Sequence, residues 1–112
     1  MTDKTWKALE RRICKVFSGT RRGADYVDEH GKGKNDCVGT DGWSIEIKYM
    51  LRPQFSVIEE DAKKAEERKE HPDDIPIAIM KRKRARDADA LVCIRLEEIG
   101  RASCRERVSD YV

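Results

Sequence analysis

Asp36, Glu46 and Lys48 are the residues of this chain whose types and spacing could do chemistry together. They belong to the stretch Asn35 to Tyr49, N-D-C-V-G-T-D-G-W-S-I-E-I-K-Y. From Trp43 to Tyr49 apolar and polar residues alternate strictly, the period of a strand buried on one face. Trp43, Ile45, Ile47 and Tyr49 point to one side, and Ser44, Glu46 and Lys48 to the other. Glu46 and Lys48 are then neighbours, with Cβ atoms about 7 Å apart. Upstream, Cys37-Val38 is a short apolar piece and Gly39-Thr40-Asp41-Gly42 a turn between two strands. A hairpin of this size brings Asp36 back beside Glu46. Two carboxylates and one ammonium converging on one spot could hold a hard cation against a phosphate. The competing account makes Glu46 and Lys48 an ion pair on a solvated face. It explains the alternation, but not an acid placed just before the paired strand.

These residues need a scaffold, and the chain is long enough for one. A chain of 112 residues with 41% charged and 38% hydrophobic residues makes one domain with a small core and a densely ionic surface. The net charge of +2 advertises no polyanion partner by itself, but the distribution does. Basic groups gather at Arg11-Arg12, Arg21-Arg22, Lys32/Lys34 and Lys81 to Arg86, and acids between Glu59 and Glu70. No apolar run approaches membrane-spanning length and no signal-peptide pattern opens the chain, so the expected location is the cytoplasm. Four cysteines are present without a C-x-x-C pair. Neither a zinc site nor a disulfide framework is expected, and three of the four read as small buried hydrophobes.

Thr5 to Phe17 reads as an amphipathic helix, with Trp6, Leu9, Ile13 and Val16/Phe17 on one stripe and Glu10 at its border. Ser18-Gly19-Thr20-Arg21-Arg22-Gly23 then opens a long loop running to Asn35. Ser18, Thr20, Arg21 and Arg22 suit contact with a phosphate backbone, the alternative being a connector whose arginines keep it soluble. Ser56 to Glu59 has the form of a capping box, starting a helix that runs to about Glu70 with a thin stripe of Phe55, Ile58, Ala62 and Ala65. Ile75 to Met80 is a buried strand with its proline near the start, and Ala90 to Leu96 another. Between them Lys81, Arg82, Lys83, Arg84 and Arg86 repel one another unless a polyanion is present, giving salt-dependent, sequence-blind affinity for DNA or RNA. A merely solvated or localisation-type run is the alternative. The order helix, hairpin, helix, strand, strand gives an α/β domain, a small mixed sheet flanked by helices.

Asp36 followed by Glu46-Ile47-Lys48 after a short hairpin resembles the D…(D/E)-x-K core of the PD-(D/E)xK nucleases, most closely small phage and archaeal Holliday junction resolvases. The likeness covers roughly Trp6 to Glu98. It implies a restriction-endonuclease-like fold and Mg²⁺-dependent (or Mn²⁺-dependent) hydrolysis of DNA phosphodiesters leaving a 5′-phosphate. Asp36 and Glu46 would hold one or two ions, with the Ile47 carbonyl as a further ligand. Lys48 would orient the attacking water or stabilise the developing charge. An acid from the first helix often approaches the metal in this family, which makes Glu10 an extra metal contact; otherwise it is a solvated helix glutamate.

The nearest likeness further implies four-way DNA junctions cut by a homodimer, in the host cytoplasm for a phage product. A general or flap-type nuclease would share every one of these residues, and an inert nucleic-acid-binding module would keep the basic connector without needing the lysine. Asn35 stands where the family name has proline. The second helix lacks the glutamine that relatives often place near the metal, with Lys63 or Lys64 nearest that position. Residues 1–98 form the nuclease-like domain and 99–112 a tail. Ile99 to Val108 (I-G-R-A-S-C-R-E-R-V) is similar to the translation of a common sequencing-library adapter, the alternative being an ordinary basic C-terminal helix. No function attaches to it, and Cys104 is expected to be exposed if it is adapter-derived.

Overall fold

The computed structural model describes residues 2–22, 34–52 and 54–102. Helix α1 (Thr2–Val16) leads to a two-residue strand β1 (Thr20–Arg21), followed by β2 (Cys37–Val38) and β3 (Trp43–Met50). Helix α2 (Phe55–Glu67) crosses to β4 (Ile75–Arg82), and β5 (Leu91–Ile94) closes the sheet. The result is a mixed α/β fold in which a small mixed sheet is flanked by helices. In the sheet of order β3-β4-β5, β3 and β4 run parallel from Trp43↔Ile75 to Met50↔Arg82, and β5 is antiparallel to β4. Parallel neighbours require a crossover, and α2 supplies it. As the central strand, β4 is buried from Ile75 through Lys81. Its continuous apolar run fits that place, and Pro76 at its second residue sits where a missing N–H disturbs least.

Helix α1 covers one face of the sheet. Leu9, Ile13 and Cys14 pack with Cys37, Ile45, Ile75, Ile77 and Ile79 in the core. Each fully buried Leu or Ile there contributes about 2 kcal/mol. Val16, which the helical stripe would include, is 75% exposed.

Three expectations are corrected. Cys14 and Cys37 form a disulfide, with Cα atoms 5.5 Å apart and a sequence separation of 23. Both are buried as expected, but the bridge is a tertiary staple between α1 and β2, which sequence spacing does not disclose. Cys93 is free and half-buried, and Cys104 lies outside the described residues. Next, the hairpin folds back as the turn suggested, but β2 pairs with β1 and not with β3. Its link to β3 is a hydrogen bond from Asp36 N to Ile45 O of 2.9 Å. The turn closes through Trp43 N to Thr40 O, with Gly42 at φ 86°. That left-handed backbone favours glycine. Gly19 permits the approach of β1 to β2, since a Cβ there would lie 2.5 Å from the Val38 carbonyl oxygen. Last, α2 begins at Phe55 with Gln54 as its N-cap and no side-chain cap. Ser56 already lies inside the first turn, two positions too late to cap it.

Short 3₁₀ turns lie at Asp87–Asp89, between β4 and β5, and at Leu96–Glu98, following β5. The chain continues in helical form through Ala102, which packs against the core, and Arg101 pairs with Glu98 at 2.6 Å. The packed structure therefore runs past residue 98, and the remainder of the adapter-like stretch lies outside the described residues.

Candidate active site

The polar face of β3 is roofed by α2, so it is not a solvated face. Ser44 is fully buried and its Oγ donates to the Ala65 carbonyl at 2.6 Å. Asn35, 2% exposed, donates from Nδ2 to Ser44 Oγ at 3.2 Å and to the Arg68 carbonyl, while its Oδ1 accepts from Cys37 N. A proline could make none of those side-chain bonds. Asparagine here ties β2, β3 and the end of α2 together and fixes the residue that follows it.

That next residue is Asp36. Its Oδ2 accepts from Ile47 N at 2.7 Å, so Ile47 serves the site through its amide. The Asp36 and Glu46 carboxyl groups lie within hydrogen-bonding reach of each other. Glu46 is 4% exposed, and burial, then the Asp36 charge, pushes its carboxyl up to about 8 against the opposing pull of Arg68. Burial also raises Asp36, while the Ile47 amide bond works to lower it. Burial and mutual repulsion of two such acids favour protonation of the pair. Glu46 Oε1 accepts from Arg68 Nη1 at 2.6 Å, whereas Oε2 is buried without a hydrogen-bond partner. A shared proton or a cation is the partner such an oxygen lacks.

Lys48 does not pair with Glu46. Its Nζ lies 3.8 Å from Asp61 Oδ1 on α2, with the lysine side chain 39% and the aspartate 6% exposed. Burial raises Asp61, Lys48 and Lys64 oppose that rise, and the charge of Asp61 in turn raises both Asp36 and Glu46. Asp61 and Arg68 escaped the sequence reading, yet a signal was there. Ile58, Asp61, Ala65 and Arg68 fall three, four and three residues apart, so two charged residues stand in line with the stripe facing the sheet. Lys63, by contrast, is exposed.

Glu10 is buried to 8% exposure, and its Oε1 accepts from Arg21 Nε at 2.7 Å. Burial first and the Asp36 charge second raise its carboxyl, so it senses the central pair while bound to Arg21. Among the described residues no three His, Cys, Asp or Glu side chains are grouped to hold a metal ion.

The basic residues divide. Ser18 and Thr20 are exposed. Arg21 stacks 5.3 Å from the Trp6 ring centre besides bonding Glu10. Arg22 donates to the carbonyls of Asn35 and Cys37 and pairs with Glu70, a bracing role inside the fold. Lys81 is 8% exposed, with Nζ 2.7 Å from Asp87 Oδ1, and Arg86 pairs with Asp89. Both are therefore engaged within the protein. Arg82, Lys83 and Arg84 are exposed at the end of β4. Compared with protein-family models, with curated proteins and with solved structures, the chain finds no match.

Proposed function

We propose that this chain is a divalent-metal-dependent endodeoxyribonuclease with a restriction-endonuclease-like core, acting as a homodimer on branched DNA. The observation that carries this reading is the meeting of the Asp36 and Glu46 carboxyl groups, one buried oxygen of which has no partner, with Lys48 on the same face. The donor set fits a hard ion, since Asp36, Glu46 and the Ile47 carbonyl are all oxygen ligands. When bound, Mg²⁺ or Mn²⁺ supplies Lewis-acid polarisation of the phosphodiester.

The chain's own residues do the rest. Arg68 fixes the Glu46 side chain through one oxygen and leaves the other to the site. Asp61, on α2 over the sheet face, holds Lys48, and the partly exposed ammonium is left to donate to a phosphate oxygen and to oppose charge developing on it. Arg82, Lys83 and Arg84 extend a cationic surface for the DNA backbone.

One observation favours a second reading. Arg68 already pairs with Glu46 without a metal, as it would in an inert nucleic-acid-binding module. Cleavage of a mobile-core four-way junction and of a linear duplex in Mg²⁺, with Lys48→Ala as control, separates the cases. Junction cutting lost in Lys48→Ala is the expected result. Equal cutting of the duplex indicates a general or flap-type nuclease, and binding without cutting in any divalent ion indicates the module.

A further inference from the structure

A cavity of about 720 Å³ is lined by Arg11, Lys15, Ser18, Gly19, Thr20 and Arg21. Its lining holds three cations, two hydroxyls and no acid. Arg11 and Lys15 stand one turn apart on α1, exposed, and neither has an acidic partner among the described residues. Unbalanced cations beside hydroxyl donors match the oxygens of a phosphodiester. The third cation, Arg21, is shared: it lines this cavity and donates to Glu10, whose carboxyl is raised by burial and then by the charge of Asp36. The cavity and the Glu10 carboxylate therefore meet at one guanidinium.

We propose that the cavity seats a backbone phosphate of DNA and that the seated phosphate takes over the Arg21 guanidinium from Glu10, freeing that carboxylate beside Asp36. The step is an exchange of ion pairs with no covalent change. A phosphate is a better bidentate acceptor for a forked guanidinium than a carboxylate reached through Nε alone. DNA binding then completes the acidic cluster, which holds only two carboxyl groups in contact before it. The consequence for Glu10 rests on the nuclease reading above, but the phosphate seat does not.

Binding of a short fluorescent DNA duplex, followed by anisotropy in EDTA over a range of salt, tests the seat without metal or turnover. Arg11→Ala/Lys15→Ala, both on the exposed side of α1, is expected to weaken binding about tenfold and to reduce the salt slope by about 2. Unchanged affinity and slope would overturn the seat. For the handover, Glu10→Gln is expected to tighten binding about fivefold in the otherwise unaltered protein and not at all when combined with Arg21→Ala, a coupling that a double-mutant cycle reads directly. Equal tightening in both backgrounds would mean that Glu10 acts only by general repulsion, and the handover would be wrong. Should Arg21→Ala fail to fold, Arg21→Lys takes its place, with the gain from Glu10→Gln expected to shrink and an undiminished gain counting against the proposal. Loss of binding in the α1 variant of a protein that never cleaves DNA would sink the nuclease reading and leave the seat standing.

Discussion

Glu46 and Asp87 are both carboxylic acids with a cationic neighbour, and they sit at opposite ends of the titration range. Glu46, beneath α2, is pushed up to about 8; Asp87, on the 3₁₀ turn after β4, is held down at about 2. Asp87 accepts from Arg12 Nε at 2.5 Å and from Lys81 Nζ at 2.7 Å with its side chain 37% exposed, so its charge is satisfied and solvated. Glu46 has one arginine, two acidic neighbours and almost no solvent. Pairing alone does not decide the state of an acid; the balance of burial, like charges and donors does. An arrangement that keeps a carboxyl uncomfortable at neutral pH adds nothing to stability, and such places are where binding and chemistry are found.

The sharpest way to break the comparison is to remove the uncomfortable charges. Asp36→Asn and Glu46→Gln are each expected to lower Mg²⁺-dependent cleavage by about 10³-fold, roughly 4 kcal/mol of transition-state stabilisation, while DNA binding is kept or tightened. Unchanged turnover in either would move the site elsewhere.

The next effect is on the frame that enforces burial. Cys14–Cys37 fastens α1 to the residue after Asp36. Cys14→Ser/Cys37→Ser is expected to cost about 3 kcal/mol in urea unfolding, from the loop entropy returned to the unfolded chain. A loss near zero would mean that packing alone holds α1 there. The bridge also strains the expectation of a cytoplasmic protein, because thiols are kept reduced in that compartment.

The two acids should also pull stability in opposite directions with pH. A carboxyl raised from 4.5 to about 8 by folding gives stability present in full below about 4.5 and lost as pH rises through 8. Glu46→Gln is therefore expected to melt higher than the parent above pH 8, by the equivalent of about 2 kcal/mol, with the gap closing toward pH 5. Asp87 works the other way, its contribution present above 3.8 and lost as pH falls through about 2. Because it is partly exposed, Asp87→Asn should cost at most about 1 kcal/mol at neutral pH, and nothing below pH 2. Melting curves of the two variants from acid to alkaline pH would show slopes of opposite sign. Parallel slopes would erase the distinction between the sites.

Much of the carboxylate site was legible because strand alternation and a glycine turn are local signals. The residues Trp43 to Tyr49 name their faces, and Gly42 names the turn that returns Asp36. What the alternation could not say is whether the polar face meets water. That depends on α2, whose thin apolar stripe suggested light contact, although Asp61, Ala65 and Arg68 lie over the face. The Cys14–Cys37 bridge, the pairing of β2 with β1, and the capture of Lys81 by Asp87 are long-range or loop-dependent facts with no periodic trace. The basic run showed the opposite failing: its composition was plain, but only Arg82, Lys83 and Arg84 remain turned outward without an internal carboxylate partner among the described residues.

The central claim is that Asp36 and Glu46 together hold a divalent ion, which would displace the proton that burial favours on Glu46. Calorimetric titration of Mg²⁺ or Mn²⁺ near neutral pH, repeated in buffers of different ionisation enthalpy, measures ion binding and proton release at once. The expected result is saturable binding with close to one proton released per ion, lost in Glu46→Gln. Absence of binding at millimolar metal, or binding that survives Glu46→Gln with no proton released, would contradict it.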